Sequence, residues 1–219
     1  MRRFADWLLV ILAVLLPVTL AAQPVEISFD AANPPFMYSQ SGKPAGLYPA
    51  LVSAAFRNMR TDVILQARPW SRVIPELDKG LAGAGGLYKN VERERRFDYS
   101  EPLYVEKILV FYHKARPVSF ATLEDLRGLR IGVIRGWSYG DAFDLARQNQ
   151  HFSVEETAAD ELNFRKLSLQ RLDVVLAIAE SGMPQLKKFD TLAVAAAPLM
   201  ENPTYLAFAK SARQQALLQ

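Results

Sequence analysis

The sequence predicts an α/β protein built on largely parallel sheets. Three observations predict it. Short apolar runs alternate with segments whose apolar residues recur at helical spacing, as in sheets whose strands are joined through helices. Hydrophobic residues make up 50% of the chain and charged residues 22%, the balance of a globular protein. No internal repeat or low-complexity linker interrupts the 219 residues, a length that allows one large domain or two small lobes.

The N-terminus stands apart from that pattern. Arg2 and Arg3 precede the apolar run Trp7 to Leu16, Pro17 breaks it, and the small residues Thr19, Ala21 and Ala22 follow. This is the layout of a secretory signal peptide over residues 1–22. A membrane anchor is the competing reading, but the run is shorter than the ~20 residues that span a bilayer. Residues 23–219 are then the exported, periplasmic protein. The chain has no cysteine, which excludes disulfides, thiolate metal sites, thiol nucleophiles and a lipid anchor after the signal. The formal charge is +3 and is dispersed apart from Arg93, Arg95 and Arg96, so nucleic acid is not an expected partner.

The elements follow in order. Val25 to Phe29 reads as a strand ending at Asp30, and Asn33-Pro34-Pro35 as a stiff loop. Leu47, Leu51 and Ala55 recur at helical spacing and predict a helix over Tyr48 to Met59. Val63 to Gln66 is a second strand. Trp70, Ile74, Leu77 and Leu81 mark an amphipathic helix that ends near Gly80. Ala82 to Leu87 is a buried strand weakened by glycines, and Leu103 to Tyr112 a longer one. Thr122-Leu-Glu-Asp125 is a capping-box pattern. Arg130 to Ile134 is a strand, with a turn at Gly136 and a helix through Ala146. Asp160 is expected to cap a helix through Leu167. Val174 to Ile178 is a buried strand, Glu180 to Lys187 a short helix interrupted by Gly182 and Pro184, and Thr204 to Lys210 a last strand, with a helix starting at Ser211.

Enzyme chemistry finds little support. His113 and His151 are the only histidines and lie far apart in sequence, with no metal-ligand spacing around them. No G-x-S-x-G is present. Gly83-Ala-Gly85-Gly86 lacks the pattern of a phosphate or dinucleotide loop. No cofactor, metal or catalytic residue is expected.

An ordered series of segments resembles the family 3 extracellular solute-binding proteins, the polar amino-acid binders of ATP-driven importers. The series comprises FDAANPPFMY (Phe29 to Tyr38) followed by Gly46-Leu47, Pro69-Trp70-Ser71-Arg72, VERERRFDYSEPLY (Val91 to Tyr104), TLEDLRGLRIGVIRGWSYGD (Thr122 to Asp141), and Lys166-Leu167 through Arg171-Leu172-Asp173. It runs from about Ile27 to Lys210. The resemblance implies a two-lobed periplasmic-binding-protein fold of type II, each lobe a sheet flanked by helices, joined by two crossover segments. Lobe 1 would be residues 23–113 plus 203–219, and lobe 2 residues 114–202. It also implies a monomer that takes a small polar solute, amino-acid-like or carboxylate-bearing, into the cleft and delivers it to an ABC permease of the inner membrane.

The resemblance places the solute carboxylate on Arg93, with Arg95 as the alternative register, and on the turn Gly136-Trp137-Ser138. A carboxylate inside a closed cleft needs a donor fork or free N–H groups. Asp30 would face the solute, Phe36 and Trp70 would wall the cleft, and Glu180 would stand in for a missing acid. The family's ammonium-binding acid falls at Ile178 here, the threonine-containing turn is Tyr88-Lys89-Asn90, and the family's usual Asp near the end of the third helix is Gly83. A solute without a standard ammonium contact therefore fits as well. Two alternatives stay open. One is a ligand-sensing partner of a membrane receptor. The other is an enzyme resembling cyclohexadienyl dehydratases, with Glu180 as the acid. The sequence ends two turns into the last helix, where the family continues further, so an exposed apolar face on lobe 1 is also expected.

Overall fold

The structure is a computed structural model that describes residues 24–210 and 216–218. The expected signal peptide and residues 211–215 of the expected last helix lie outside the described residues. Leu217 and Leu218 pack against the main core.

The chain opens with β1 (Val25–Asp30), then the short strands β2 (Ala32–Asn33), β3 (Met37–Gln40) and β4 (Lys43–Ala45). These three form their own antiparallel sheet around the Pro34-Pro35 turn. Helix α1 (Leu47–Asn58) leads to β5 (Val63–Arg68), α2 (Trp70–Asp78), β6 (Gly83–Tyr88), the single turn α3 (Val91–Glu94) and β7 (Phe97–Tyr99). The long β8 (Tyr104–His113) crosses to the second half. There a 3-10 turn (Leu123–Leu126), β9 (Arg130–Ile134), α4 (Asp141–Gln148), β10 (Ser153–Thr157), α5 (Asp160–Ser168) and β11 (Val174–Ile178) follow. The half closes with α6 (Ala179–Gly182), α7 (Gln185–Lys188) and β12 (Leu192–Val194), and β13 (Met200–Ala209) returns.

The strand order β10-β9-β11-β8-β13-β6-β1-β5 runs through both halves as one curled sheet. Each outer part is parallel, as expected: β1 pairs in parallel with β5 and β6, and β9 with β10 and β11. The middle corrects the expectation. Strands β8 and β13 run antiparallel to each other and to their neighbours, because the chain crosses once in each direction. Ile108 to Tyr112 of β8 pair with β11, whereas Tyr104 to Ile108 pair with Thr204 to Met200 of β13. Each ten-residue strand therefore belongs to both halves.

Several local expectations change for physical reasons. Helix α1 forms, but Leu47 and Leu51 are more than a third exposed, while Tyr48, Val52 and Phe56 are buried. The inward stripe lies one residue further along and carries the aromatics. Leu81 lies beyond α2 and is 64% exposed. Asp160 does not cap α5: its carboxylate is turned inward and accepts the Ser181 hydroxyl at 2.6 Å. The glycines of β6 are a packing requirement rather than a weakness. A Cβ at Gly83 would overlap the ring of Phe208, and one at Gly85 the ring of Phe29. Strand β10, SVEET, gives no apolar signal because it is a partly exposed edge.

The capping box forms as expected. Asp125 accepts the backbone N–H groups of Ala121 and Thr122, both at 2.8 Å. Asp173 is structural: it accepts from the backbone N–H of Arg130 at 2.9 Å and from that residue's guanidinium at 3.0 and 3.1 Å, tying the end of the α5–β11 turn to β9. Among the described residues no helix is long and apolar enough to cross a membrane.

Candidate functional site

The two halves meet face to face at the C-terminal ends of their parallel strands, where open α/β sheets place ligands. The first half presents Asn33, the N-terminus of α2 with Trp70, the end of β6 with Tyr88, and α3 with Arg93. The second half presents the turn between β9 and α4, residues 135–140. Gly136 has φ 73° there, a left-handed conformation that glycine adopts without strain.

The Gly136 carbonyl oxygen links the halves. It accepts the Trp70 indole N–H at 3.1 Å and an Arg93 guanidinium N–H at 3.2 Å. Arg93 donates a second bond to the Tyr88 carbonyl at 3.2 Å. Ser138 extends the seam. Its hydroxyl donates to Asp144 at 2.6 Å and accepts from the Asn90 amide at 3.1 Å. The Val91 N–H reaches Asp141 at 3.2 Å, and the Tyr104 hydroxyl reaches Glu180 at 2.8 Å. The cleft is closed.

Trp137 packs into the closed space. Its ring meets Trp70 and Tyr88 edge-on, each at 6.4 Å between centroids, at 70° and 74°. The remaining cavity is ≈ 10 Å³, room for about one water. Trp70, Arg93, Trp137 and Ser138 line it, together with Asn33, Tyr88 and Glu106. Arg93, Trp137 and Ser138 also line a surface groove of ≈ 870 Å³ between α3 and α4.

The other candidates sit further back. Asp30 is 2% exposed and accepts the Ala32 N–H at 3.0 Å. Phe36 stacks on Tyr48 at 5.2 Å and leans on Tyr104 at 5.5 Å, which holds its ring in the core behind the cavity wall. Glu180 lies at the seam with Tyr104, and its other oxygen is buried without a partner. Ile178 is 1% exposed and apolar, so the second half offers no acid at that point. Arg93 and not Arg95 is the buried arginine of the triplet: Arg93 is 6% exposed, whereas Arg95 faces solvent.

Sequence reasoning missed Glu106. It stands on β8 at the buried phase shared with Ile108 and Val110, and is 2% exposed. It accepts the hydroxyls of Tyr48 and Tyr88. An acid in the apolar register of a strand was the available signal. Asn33 was also missed: it is 3% exposed, and both polar atoms of its side chain lack a partner.

Burial dominates the electrostatics. It raises the Glu106 carboxyl from 4.5 to about 7, even though the two tyrosine hydroxyls oppose the shift. It raises Asp30 and Asp160 from 3.8 to about 6 each. For Asp30 the effect is offset by backbone N–H groups and by the Trp137 indole N–H, which lies near but outside hydrogen-bonding geometry. Burial also lowers Arg93 from its ordinary value. Groups raised in the folded state favour folding below their unfolded pKa, and lose that contribution as pH rises through the folded value. Stability is therefore expected to fall between about pH 4 and 7. Asp160→Asn keeps an acceptor for Ser181 and removes one share, roughly 2–3 kcal/mol for a shift of about two units. Denaturant unfolding should find this variant more stable than the parent at pH 8 and equal to it near pH 4; equal stability at both would refute the assignment.

Comparison with known proteins places this geometry. The model of the bacterial extracellular solute-binding proteins, family 3, matches residues 25–212. The chain belongs to that family. A curated family relative, the L-cystine-binding protein TcyJ of Escherichia coli (strain K12), is 24% identical over 173 residues, covering 77% of this chain and 64% of TcyJ. The chain thus matches less than two thirds of that relative's length. Among solved structures, an ancestral arginine-binding protein bound to arginine aligns with a TM-score of 0.75 at 20% identity, covering 89% of this chain and 88% of that one. A histidine kinase sensor domain with similarity to periplasmic binding proteins aligns with a TM-score of 0.76 at 22% identity, covering 90% and 89%. These likenesses establish the two-lobed, type II periplasmic-binding-protein fold for this family member.

Proposed function

We propose that this family 3 protein is a non-catalytic periplasmic binding protein that captures a small, carboxylate-bearing, amino-acid-like solute for an ABC importer. The observation that carries the reading is Arg93. Its guanidinium is 6% exposed in the closed cleft, bonded only to two carbonyl oxygens, and part of no ion pair among the described residues. A desolvated fork of this kind recruits a carboxylate. The relatives named for cystine and arginine binding support an amino-acid-like class.

In this reading lobe 1 and lobe 2 divide within β8 and β13, near residues 104–108 and 200–204, rather than at residues 113 and 202. Those strands would flex as the hinge. The solute carboxylate replaces the Gly136 carbonyl on Arg93, with Ser138 and the turn N–H groups completing the contact. The protein works as an exported monomer with an inner-membrane permease as its partner.

Trp70 and Trp137 are the two tryptophans among the described residues, and both line the cavity. Intrinsic fluorescence therefore reports on cleft occupancy. Titrating purified protein with L-cystine, L-arginine, L-glutamine and succinate should give a saturable change with at least one, together with a higher Tm. Binding stabilises by ~2.7 kcal/mol at a hundredfold excess over Kd. No response to any amino acid or small carboxylate from a folded protein would overturn the reading.

A further inference from the structure

Arg93 is one of two charges in the cavity without an opposite partner. Glu106 faces the same space from the strand that joins the halves. Two hydroxyls, from Tyr48 and Tyr88, occupy part of its acceptor capacity. A carboxylate has roughly four lone-pair positions, and no Lys, Arg or His pairs with Glu106 among the described residues. Asn33 lines the same cavity with both side-chain polar atoms buried and unpartnered. Buried polar groups in native proteins find partners, so this wall is built for a polar guest.

The remaining walls are aromatic. Trp137 stands nearly perpendicular to both Trp70 and Tyr88, so the three rings form adjacent sides of a box next to Glu106. Ring faces attract cations but cannot accept the strong hydrogen bonds that a compact ammonium loses on leaving water. They favour weakly hydrated organic cations.

We propose that Glu106, enclosed by Trp70, Tyr88 and Trp137, is a cation subsite, so that the cleft takes a zwitterion: a carboxylate on Arg93 and a methylated ammonium or guanidinium group over Glu106. This rests on the solute-binding reading above and adds its second end. A cavity of ≈ 10 Å³ admits no such solute until the halves part. The contacts that must yield are the two bonds to the Gly136 carbonyl and the edge contacts of Trp137.

The subsite predicts proton linkage. Around Glu106 stand Tyr48 on α1, Tyr88 on β6 and Arg93 on α3, with Asp160 of α5 and Glu180 of α6 adding negative charge from the second half. With its carboxyl at about 7, Glu106 is partly protonated near neutral pH, and an arriving cation displaces that proton. Affinity for the zwitterion should therefore rise from pH 5 to pH 8.

The test is calorimetry on the purified protein with glycine betaine, L-arginine, choline and succinate, in buffers of different ionisation enthalpy. At least one of the two zwitterions should bind with proton release at pH 6.5. Choline and succinate, each lacking one end, should bind at least about tenfold more weakly. Glu106→Gln should weaken the zwitterion about tenfold or more and abolish the proton release. Zwitterion binding unchanged in Glu106→Gln, or succinate binding tightest, would overturn the cation subsite and leave solute binding standing. Silence from all four probes would overturn this inference; the solute-binding reading falls with it only if L-cystine and L-glutamine are silent in the fluorescence titration as well. Should Glu106→Gln not fold, the unmodified protein decides: an affinity flat between pH 5 and 8 overturns the proposal.

Discussion

Arg93→Ala is expected to weaken capture of the solute by about 2–5 kcal/mol, the usual effect of truncating one member of a buried, hydrogen-bonded charge pair. That is roughly thirtyfold or more in Kd. The reasoning starts from burial. Arg93 has surrendered most of its water and holds only the carbonyls of Tyr88 and Gly136, so a carboxylate arriving there meets a donor fork that is already desolvated. Losing the side chain removes both the charge and the fork. It does not empty the core, since the neighbours are a cleft wall and the single turn α3 capped by Asn90, whose side chain accepts the Arg93 backbone N–H at 2.8 Å. The variant should fold with a Tm near that of the parent. Arg93→Lys should recover only part of the affinity, because an ammonium supplies the charge without the planar fork. Arg95→Ala, at the exposed neighbour, should bind as the parent does. Equal Kd values for the Arg93→Ala variant and the parent, by fluorescence titration, would remove Arg93 from the site.

The largest stability effect is expected in the second half. Phe111→Ala should destabilise the fold by about 3–5 kcal/mol. Phe111 is fully buried on β8 and meets Phe164 of α5 edge-on at 4.9 Å. It anchors a cluster with Leu167, Leu172, Val175 and Leu192, separate from the main core. The site cannot collapse readily. The ring lies where a Cβ on Gly182 would be, so α6 already approaches as closely as its backbone allows. The void would remain, and a cavity adds its own cost to the lost transfer energy. Urea unfolding is the measurement. Leu169→Ala, at a side chain 60% exposed, should change stability by less than about 0.5 kcal/mol. Equal midpoints for Phe111→Ala and Leu169→Ala would mean that this cluster contributes little to the second half.

Much of the scaffold was legible in the chain. Strands β9 and β11 stand where apolar runs put them, because a strand buried on both faces needs no alternation, and β1 stands where Val25, Ile27 and Phe29 alternate with polar residues. The Thr122–Asp125 capping box was readable because it is local, whereas the Arg130 partner of Asp173 emerged only from the fold. Helix α1 was placed correctly but with the wrong face inward: two leucines outscored Tyr48, whose hydroxyl turned out to serve Glu106. The edge strand β10 and the strands β2 to β4 carry too few buried apolar side chains to signal themselves.

Arg93, Trp70 and the Gly136–Ser138 turn could be singled out in the sequence because they sit in recognisable segments. Glu106 and Asn33 could not be placed at the cleft, since neither residue type nor spacing tells which buried side chain meets the opposite half. The sequence by itself determined an α/β chain of alternating units, the absence of thiol chemistry, the arginine-bearing segment and the order of the elements. The alternating units, the missing thiols and the element order follow from local periodicity and composition, and the arginine-bearing segment from the family resemblance. The tertiary structure alone decided the antiparallel seam of β8 and β13, the burial of Arg93 with Arg95 left exposed, and the placing of Trp137 at the cavity. It also decided that Arg93 and Glu106 line one cavity, each without an ion-pair partner among the described residues. These depend on contacts between residues far apart in the chain, where burial and hydrogen bonding depend on the final packing.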